Sequence, residues 1–156
     1  MAEEWLVDGY NLLHARPSEK AAKSKKGREE LLAELADFTA VQGRPMRVVL
    51  DGKGDPAELD IHRTTLLHVV YSQTVSADAC IERLLYELKA QIHFTVVTND
   101  RAIAQLARGS GAAVMGCGDF LDRLKESKKD RSDTLHRDKL RSHGFNRPFE
   151  DKLKDK

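Results

Sequence analysis

Three short apolar runs that do not alternate with polar residues, each closing on a carboxylate, constrain this chain more than any other feature. Trp5-Leu6-Val7 runs into Asp8-Gly9-Tyr10-Asn11. Arg47-Val48-Val49-Leu50 runs into Asp51-Gly52, and Phe94-Thr95-Val96-Val97 into Thr98-Asn99-Asp100-Arg101. Residues 66–71 and 112–115 read as two further strands. Strands of this kind are buried on both faces, as in a parallel sheet covered by helices above and below. Between them lie helical patterns. Leu31, Leu32, Leu35, Ala36 and Phe38 predict a helix over 28–41, ended by Gly43 with Pro45 beyond. Ser76 is a suitable N-cap for a helix to about residue 89. A helix over 102–107 ends at Gly109, and a last one over 120–125 starts from Gly118 or Asp119. Asp8 to Asn11 reads as a turn and 53–60 as a loop. The expected fold class is α/β, a three-layer sandwich of about five parallel strands with helices on both faces.

With 156 residues the chain is one domain with an appendage. Apolar residues thin out beyond residue 125, so 1–125 is expected to form the domain and 126–156 a basic tail, a short helix or a disordered segment. Residues 125–156 hold 11 Lys and Arg against 7 Asp and Glu, a net +4, and the remainder is net −3. A basic tail suits nucleic acid, and it equally suits a solvated terminus. No apolar run approaches the roughly 20 residues of a membrane span, so no membrane is expected. The acidic start is not that of a secretory signal. Cys80 and Cys117 form no CxxC and read as reduced thiols, which points to a cytoplasmic protein. The six histidines lack a metal-ligand spacing, and there is no P-loop, GxGxxG or nucleophile–histidine pairing.

Ligands of open α/β sheets bind at the carboxyl ends of the strands, and the carboxylates collect there. Asp8, Asp51 and Asp100 each follow a strand, and Asp78 lies in the first turn of the helix after the third strand. Glu82 is one helical turn further on. Each has a simpler reading alone: Asp before Gly is a turn residue, and Asp at a helix start is a cap. Together they repel one another and call for a cation. A hard divalent ion with oxygen ligands serves, and such a centre hydrolyses phosphate esters.

The motifs 5–13, 48–52, 76–82 and 96–101, in that order, resemble the NYN branch of the PIN-like nucleases, and within it the YacP-like family. Gly111-Ala112 and Phe120-Leu121 match the closing pattern, so the resemblance covers residues 5–124. It implies a PIN-like sheet of order 3-2-1-4-5. It also implies that Asp8, Asp78 and Asp100 hold one or two Mg2+ or Mn2+ ions. By the same resemblance Asn11 supports the site by holding the turn or a metal-bound water, while Asp51 and Glu82 serve as outer ligands or bases. Asn99 stands where relatives often carry Ser.

The basic run after the first motif, with Arg16, Lys20, Lys23, Lys25, Lys26 and Arg28, lies beside the acidic edge and is a candidate RNA contact, or else a solvated charge run. Tyr10 is a candidate base-stacking residue, and Asn99 and Arg101 are candidates for substrate phosphate. The function expected is a metal-dependent endoribonuclease acting on single-stranded RNA or mRNA in decay or processing, leaving 5′-phosphate and 3′-hydroxyl ends. The alternatives are a non-catalytic RNA- or ribosome-binding module and a phosphatase or nucleotide hydrolase. The absence of a DxD after the first strand argues against an aspartyl-phosphate enzyme. Neither the RNA target nor the oligomeric state is readable.

Overall fold

A computed structural model describes residues 1–17, 25–52 and 66–143, with 131–143 as backbone alone. The loop expected over 53–60 and the end of the tail lie outside the described residues. Five strands, β1 (Ala2–Asp8), β2 (Met46–Leu50), β3 (Leu67–Tyr71), β4 (Ile92–Val97) and β5 (Ala113–Met115), form one sheet. Every pairing is parallel and the order is β3-β2-β1-β4-β5, as the resemblance implied. Val7 of the central strand is in register with Val48 on one side and Val97 on the other.

The helices are α1 (Gly9–Ala15), α2 (Lys25–Gln42), α3 (Ala77–Leu88), α4 (Arg101–Gly109) and α5 (Cys117–His143). Right-handed crossovers fix their sides. From β1 the chain moves outward through α1 and α2 on one face. From β3 it crosses back through α3, then α4, on the other.

Each face has its own core. Trp5 and Val7 point to the first, with Leu12, Leu35, Phe38 and Phe120. Leu6 points to the second, with Val49, Ile81, Leu85, Phe94, Val96 and Ile103. Adjacent residues of β1 thus enter opposite cores, which is why its sequence does not alternate. Trp5 anchors the first core, edge-on to Phe120 with ring centroids 5.2 Å apart and 6.0 Å from Phe38. Arg44 caps the Trp5 ring at 4.3 Å.

Two elements differ from the sequence reading. Asp8 to Asn11 is not a turn: Asp8 is the N-cap of α1, and the helix starts at Gly9. Gly9 is there for proximity, since a Cβ would meet Leu50 Cδ2 at 2.6 Å and the Val49 carbonyl oxygen at 2.8 Å. Only glycine lets α1 begin so close to β2. The last helix does not stop near residue 125 but runs to His143. Scarcity of apolar residues does not end a helix. No Gly or Pro interrupts residues 119–143, and Lys, Arg, Glu and Leu there are strong helix formers. The chain divides into two compact units, Met1–Leu124, which contains the sheet, and Lys125–Lys156.

Candidate active site

The order of strands places a switch point between β1 and β4. Chain segments leave in opposite directions there, and a crevice opens at the carboxyl edge. Asp8 ends β1 on one side of it, and residues 98–100 follow β4 on the other. The first turn of α3 starts from the same edge.

Asp8 is 4% exposed, the only carboxylate buried to that degree among the described residues. Its two oxygens are held separately. Oδ1 accepts from the Asn11 backbone N–H at 3.4 Å, and Oδ2 accepts from the Thr98 hydroxyl at 3.1 Å. Burial pushes its carboxyl above the usual range, the two hydrogen bonds pull it down, and the charges of Asp78 and Asp100 push it up again. Asp78, exposed in the first turn of α3, is also pushed up, first by desolvation and then by Asp100 and Asp51. Asp100 is the N-cap of α4. Its Oδ1 accepts from the N–H groups of Ala102 at 2.9 Å and Ile103 at 3.2 Å. Three carboxylates from three elements therefore lie within electrostatic reach of one another.

Asp51 plays a different part. Its Oδ1 accepts from Ser72 Oγ at 3.1 Å and from the Ala77 N–H at 3.2 Å, while Ser72 Oγ accepts from the Gly52 N–H at 3.0 Å. Asp51 thereby ties the end of β2 to the start of α3 and sets the position of Asp78. Glu82 is exposed and lines the groove between α3 and α4.

Two asparagines lock the segments together. Asn11 Oδ1 accepts from the Asn99 N–H at 2.7 Å and faces the Cys117 thiol at 3.6 Å. Asn99 Oδ1 in turn accepts from the Cys117 N–H at 2.8 Å, satisfying the first donor of α5. The Asn99 side-chain oxygen is thus engaged with the protein. Burial, and after it the Asp8 charge, push the Cys117 thiol up to about 12.

The basic candidates are scattered. Arg16 is ion-paired with Glu34 at 2.7 Å. Lys25 and Lys26 are exposed in the first turn of α2, Arg28 is half-buried, and Arg101 is exposed at the start of α4. Lys20 and Lys23 lie outside the described residues. Tyr10 is 56% exposed, with its ring 4.3 Å from that of His14.

Residues the sequence reading passed over are Thr98, Ser72 and Gly9. Thr98 Oγ1 donates to Asp8 and accepts from the Asp100 N–H at 3.0 Å. A threonine two residues before an aspartate is the spacing of a side-chain turn, and that signal was present.

The donor set is all oxygen, which fits Mg2+ or Mn2+. Among the described residues no three His, Cys, Asp or Glu side chains close into a complete ligand set. A hydrated ion held by one or two carboxylates matches that arrangement better than an all-protein cage. No helix among the described residues is long and apolar enough to cross a membrane.

The family model of the YacP-like NYN domain matches residues 5–156. Uncharacterized protein YacP of Bacillus subtilis (strain 168) is 32% identical over 116 residues. That match takes in 69% of this chain and 66% of that protein, so the chain spans just under two thirds of this relative's length. The crystal structure of Rae1 (YacP) from Bacillus subtilis is similar with a TM-score of 0.71 and 25% identity, over 86% of this chain and 80% of that one. A point variant of the same protein gives a TM-score of 0.71 at 23% identity, over 88% and 83%. On these matches, and on the strand order that carries Asp8, Asp78 and Asp100 to one edge, this chain belongs to the YacP-like NYN domain family, with its nuclease-like fold.

Proposed function

We propose that this protein is a metal-dependent endoribonuclease of the cytoplasm that hydrolyses RNA phosphodiester bonds, in RNA decay or processing. The observation that carries this reading is the convergence of Asp8, Asp78 and Asp100 at the switch point, with burial and mutual repulsion raising the pKa of Asp8 and Asp78. A bound cation would offset the repulsion among these carboxylates. Asp8 and Asp100 would hold Mg2+ or Mn2+ from the two sides of the crevice, with Asp78 above. The ion, when bound, activates water and neutralises charge on the phosphate. The protein's part is positional. Thr98 and the Asn11 N–H keep Asp8 oriented and favour its charged form. The Asn11–Asn99–Cys117 lock holds the β4–α4 connection against α1. Arg101, at the mouth of the crevice, supplies positive charge for a substrate phosphate.

Cleavage of a mixed RNA pool with Mn2+, Mg2+ or EDTA, wild type beside Asp100→Asn, tests the reading. Metal-dependent cleavage that the variant loses supports it. RNA bound tightly but uncut with every ion would favour a non-catalytic RNA- or ribosome-binding module.

A further inference from the structure

α3 and α4 pack side by side on the same face of the sheet, and each begins at the acidic edge. Asp78 lies in the first turn of one and Asp100 caps the other. The two helices therefore run parallel, away from the crevice, and a groove of about 550 Å3 lies between them. Ala79 and Glu82 are its lining nearest the aspartates. Tyr86 on α3 with Lys89 capping its end, and Leu106 and Gly109 on α4, line it further down. Helical rise puts Tyr86 roughly 12 Å along α3 from Asp78. That is the reach of a few nucleotides.

The groove has the chemistry of a single-stranded nucleic-acid track. Tyr86 is 75% exposed, so its ring has an open face. Lys89 Nζ lies over one face of the ring, 5.6 Å from its centroid, which leaves the opposite face for a base. Arg83 lines the same wall. Leu106, 37% exposed, gives an apolar surface opposite. Gly109 adds no side chain, and a Cβ there would meet nothing within 4 Å. Aromatic faces beside cations are how single strands are held without a sequence code. Glu82 repels phosphate, so the sugar–phosphate chain runs on the Arg83 and Lys89 side, and the Glu82 carboxylate is left to accept from base amino groups.

We propose that the groove between α3 and α4 holds a single-stranded flank of the bound RNA, with one base stacked on Tyr86 and phosphates held by Arg83 and Lys89. This rests on the reading of the protein as one that acts on RNA, and it adds where the chain lies on leaving the aspartates. A protein helix could use the same surface. The two cations beside the aromatic ring, Arg83 and Lys89, favour RNA.

Two full-length variants test it without touching the aspartates. Tyr86→Ala removes the ring, with Tyr86→Phe as the conservative control. Gly109→Leu fills the groove from a helical position with room for a side chain. Single-stranded RNAs trimmed one nucleotide at a time serve as substrates, and 4-thiouridine RNA crosslinked in EDTA reports binding apart from cleavage. For RNA with a long flank, Tyr86→Ala and Gly109→Leu should raise KM roughly tenfold, Tyr86→Phe should match wild type, and short RNAs should not distinguish the proteins. The crosslink should map to the α3 peptide and disappear in Gly109→Leu. Crosslinking there without cleavage by any protein would support the groove and defeat the nuclease reading. Cleavage with all variants equal to wild type at every flank length would overturn the groove and leave the nuclease standing. A protein partner bound through Tyr86, with no RNA crosslink, would also overturn it.

Discussion

Thr98 holds Asp8 in the orientation the crevice requires: its hydroxyl donates to Asp8 Oδ2 at 3.1 Å, 90 residues away in sequence. Thr98 Oγ1 also accepts from the Asp100 backbone N–H, so one hydroxyl ties the Asp8 carboxylate to the backbone of Asp100. Thr98→Val keeps the shape and removes both bonds. The Thr98 hydrogen bond lowers the Asp8 pKa, so its loss raises it further. Asp8 must be ionised to hold a cation, and the acidic limb of a rate–pH profile should therefore move to higher pH in Thr98→Val. Activity at neutral pH should fall about 10–100-fold, as when groups supporting a metal ligand are removed. Activity assays from pH 5 to 9 at saturating Mn2+ check both.

Asp100→Asn separates charge from capping. Asn caps a helix as well as Asp does, and the Ala102 and Ile103 N–H groups keep their acceptor. Cleavage should be abolished, while the melting temperature in EDTA should be no lower than that of wild type. A large loss of stability would mean that Asp100 matters mainly to the fold.

Metal-free stability should depend on pH in a defined direction. Asp8 and Asp78 titrate above their ordinary value of 3.8 in the folded protein. In the window above that value the folded state holds protons that the unfolded state has released. Stability attributable to these groups is then full below 3.8 and is lost as pH rises through their folded values. Thermal melts in EDTA should show this decline, Asp78→Asn should flatten it, and saturating Mn2+ should reverse it. No difference between EDTA and Mn2+ at pH 7 would count against a cation site.

Gly9→Ala tests the close approach of α1 to β2. The new methyl meets a main-chain oxygen that cannot turn aside. Overpacking of this kind costs about 1–3 kcal/mol, and α1 must shift, carrying Asn11 with it. A lower melting temperature together with reduced activity is expected. Wild-type behaviour in both would show that α1 is free to move.

Both thiols should be inert in the native protein. Cys80 and Cys117 are buried and their pKa values are pushed up, Cys117 to about 12. A colorimetric thiol reagent at pH 8 should label neither until denaturant is added. Rapid native labelling of one equivalent would show that the Asn11–Asn99–Cys117 lock opens.

The strands were readable because β1, β2 and β4 are apolar without alternation and close on carboxylates, whereas their order came from the resemblance to the YacP-like family. Asp8, Asp51, Asp78 and Asp100 were readable as a group from the strand ends, and the choice of Asp8, Asp78 and Asp100 among them came from that resemblance. What was not legible turns on contacts between distant segments. Asp51 carries the same Asp-Gly signature as Asp8, and only the folded chain shows that its Oδ1 braces Ser72 and the Ala77 N–H while its charge reaches Asp78. Glu82 lies one helical turn from Asp78, and only the folded chain shows that it lines the groove between α3 and α4. Gly9 looked like a breaker because sequence shows a missing side chain and not the β2 backbone that fills its place. The length of α5 was missed because apolar content was read as a sign of helix, when uninterrupted helix-forming residues suffice.

The central place of β1 also sets a timetable for synthesis. It is made before both of its neighbours, and one of them, β4, begins only at Ile92. Until that residue has left the exit tunnel, one edge of the central strand stays open, as a template for any other strand nearby. The Thr98, Asp100 and Asn99 contacts come later still. A nascent or truncated chain is thus both sticky and chemically silent. The activity proposed here begins only when the last third of the sheet has closed.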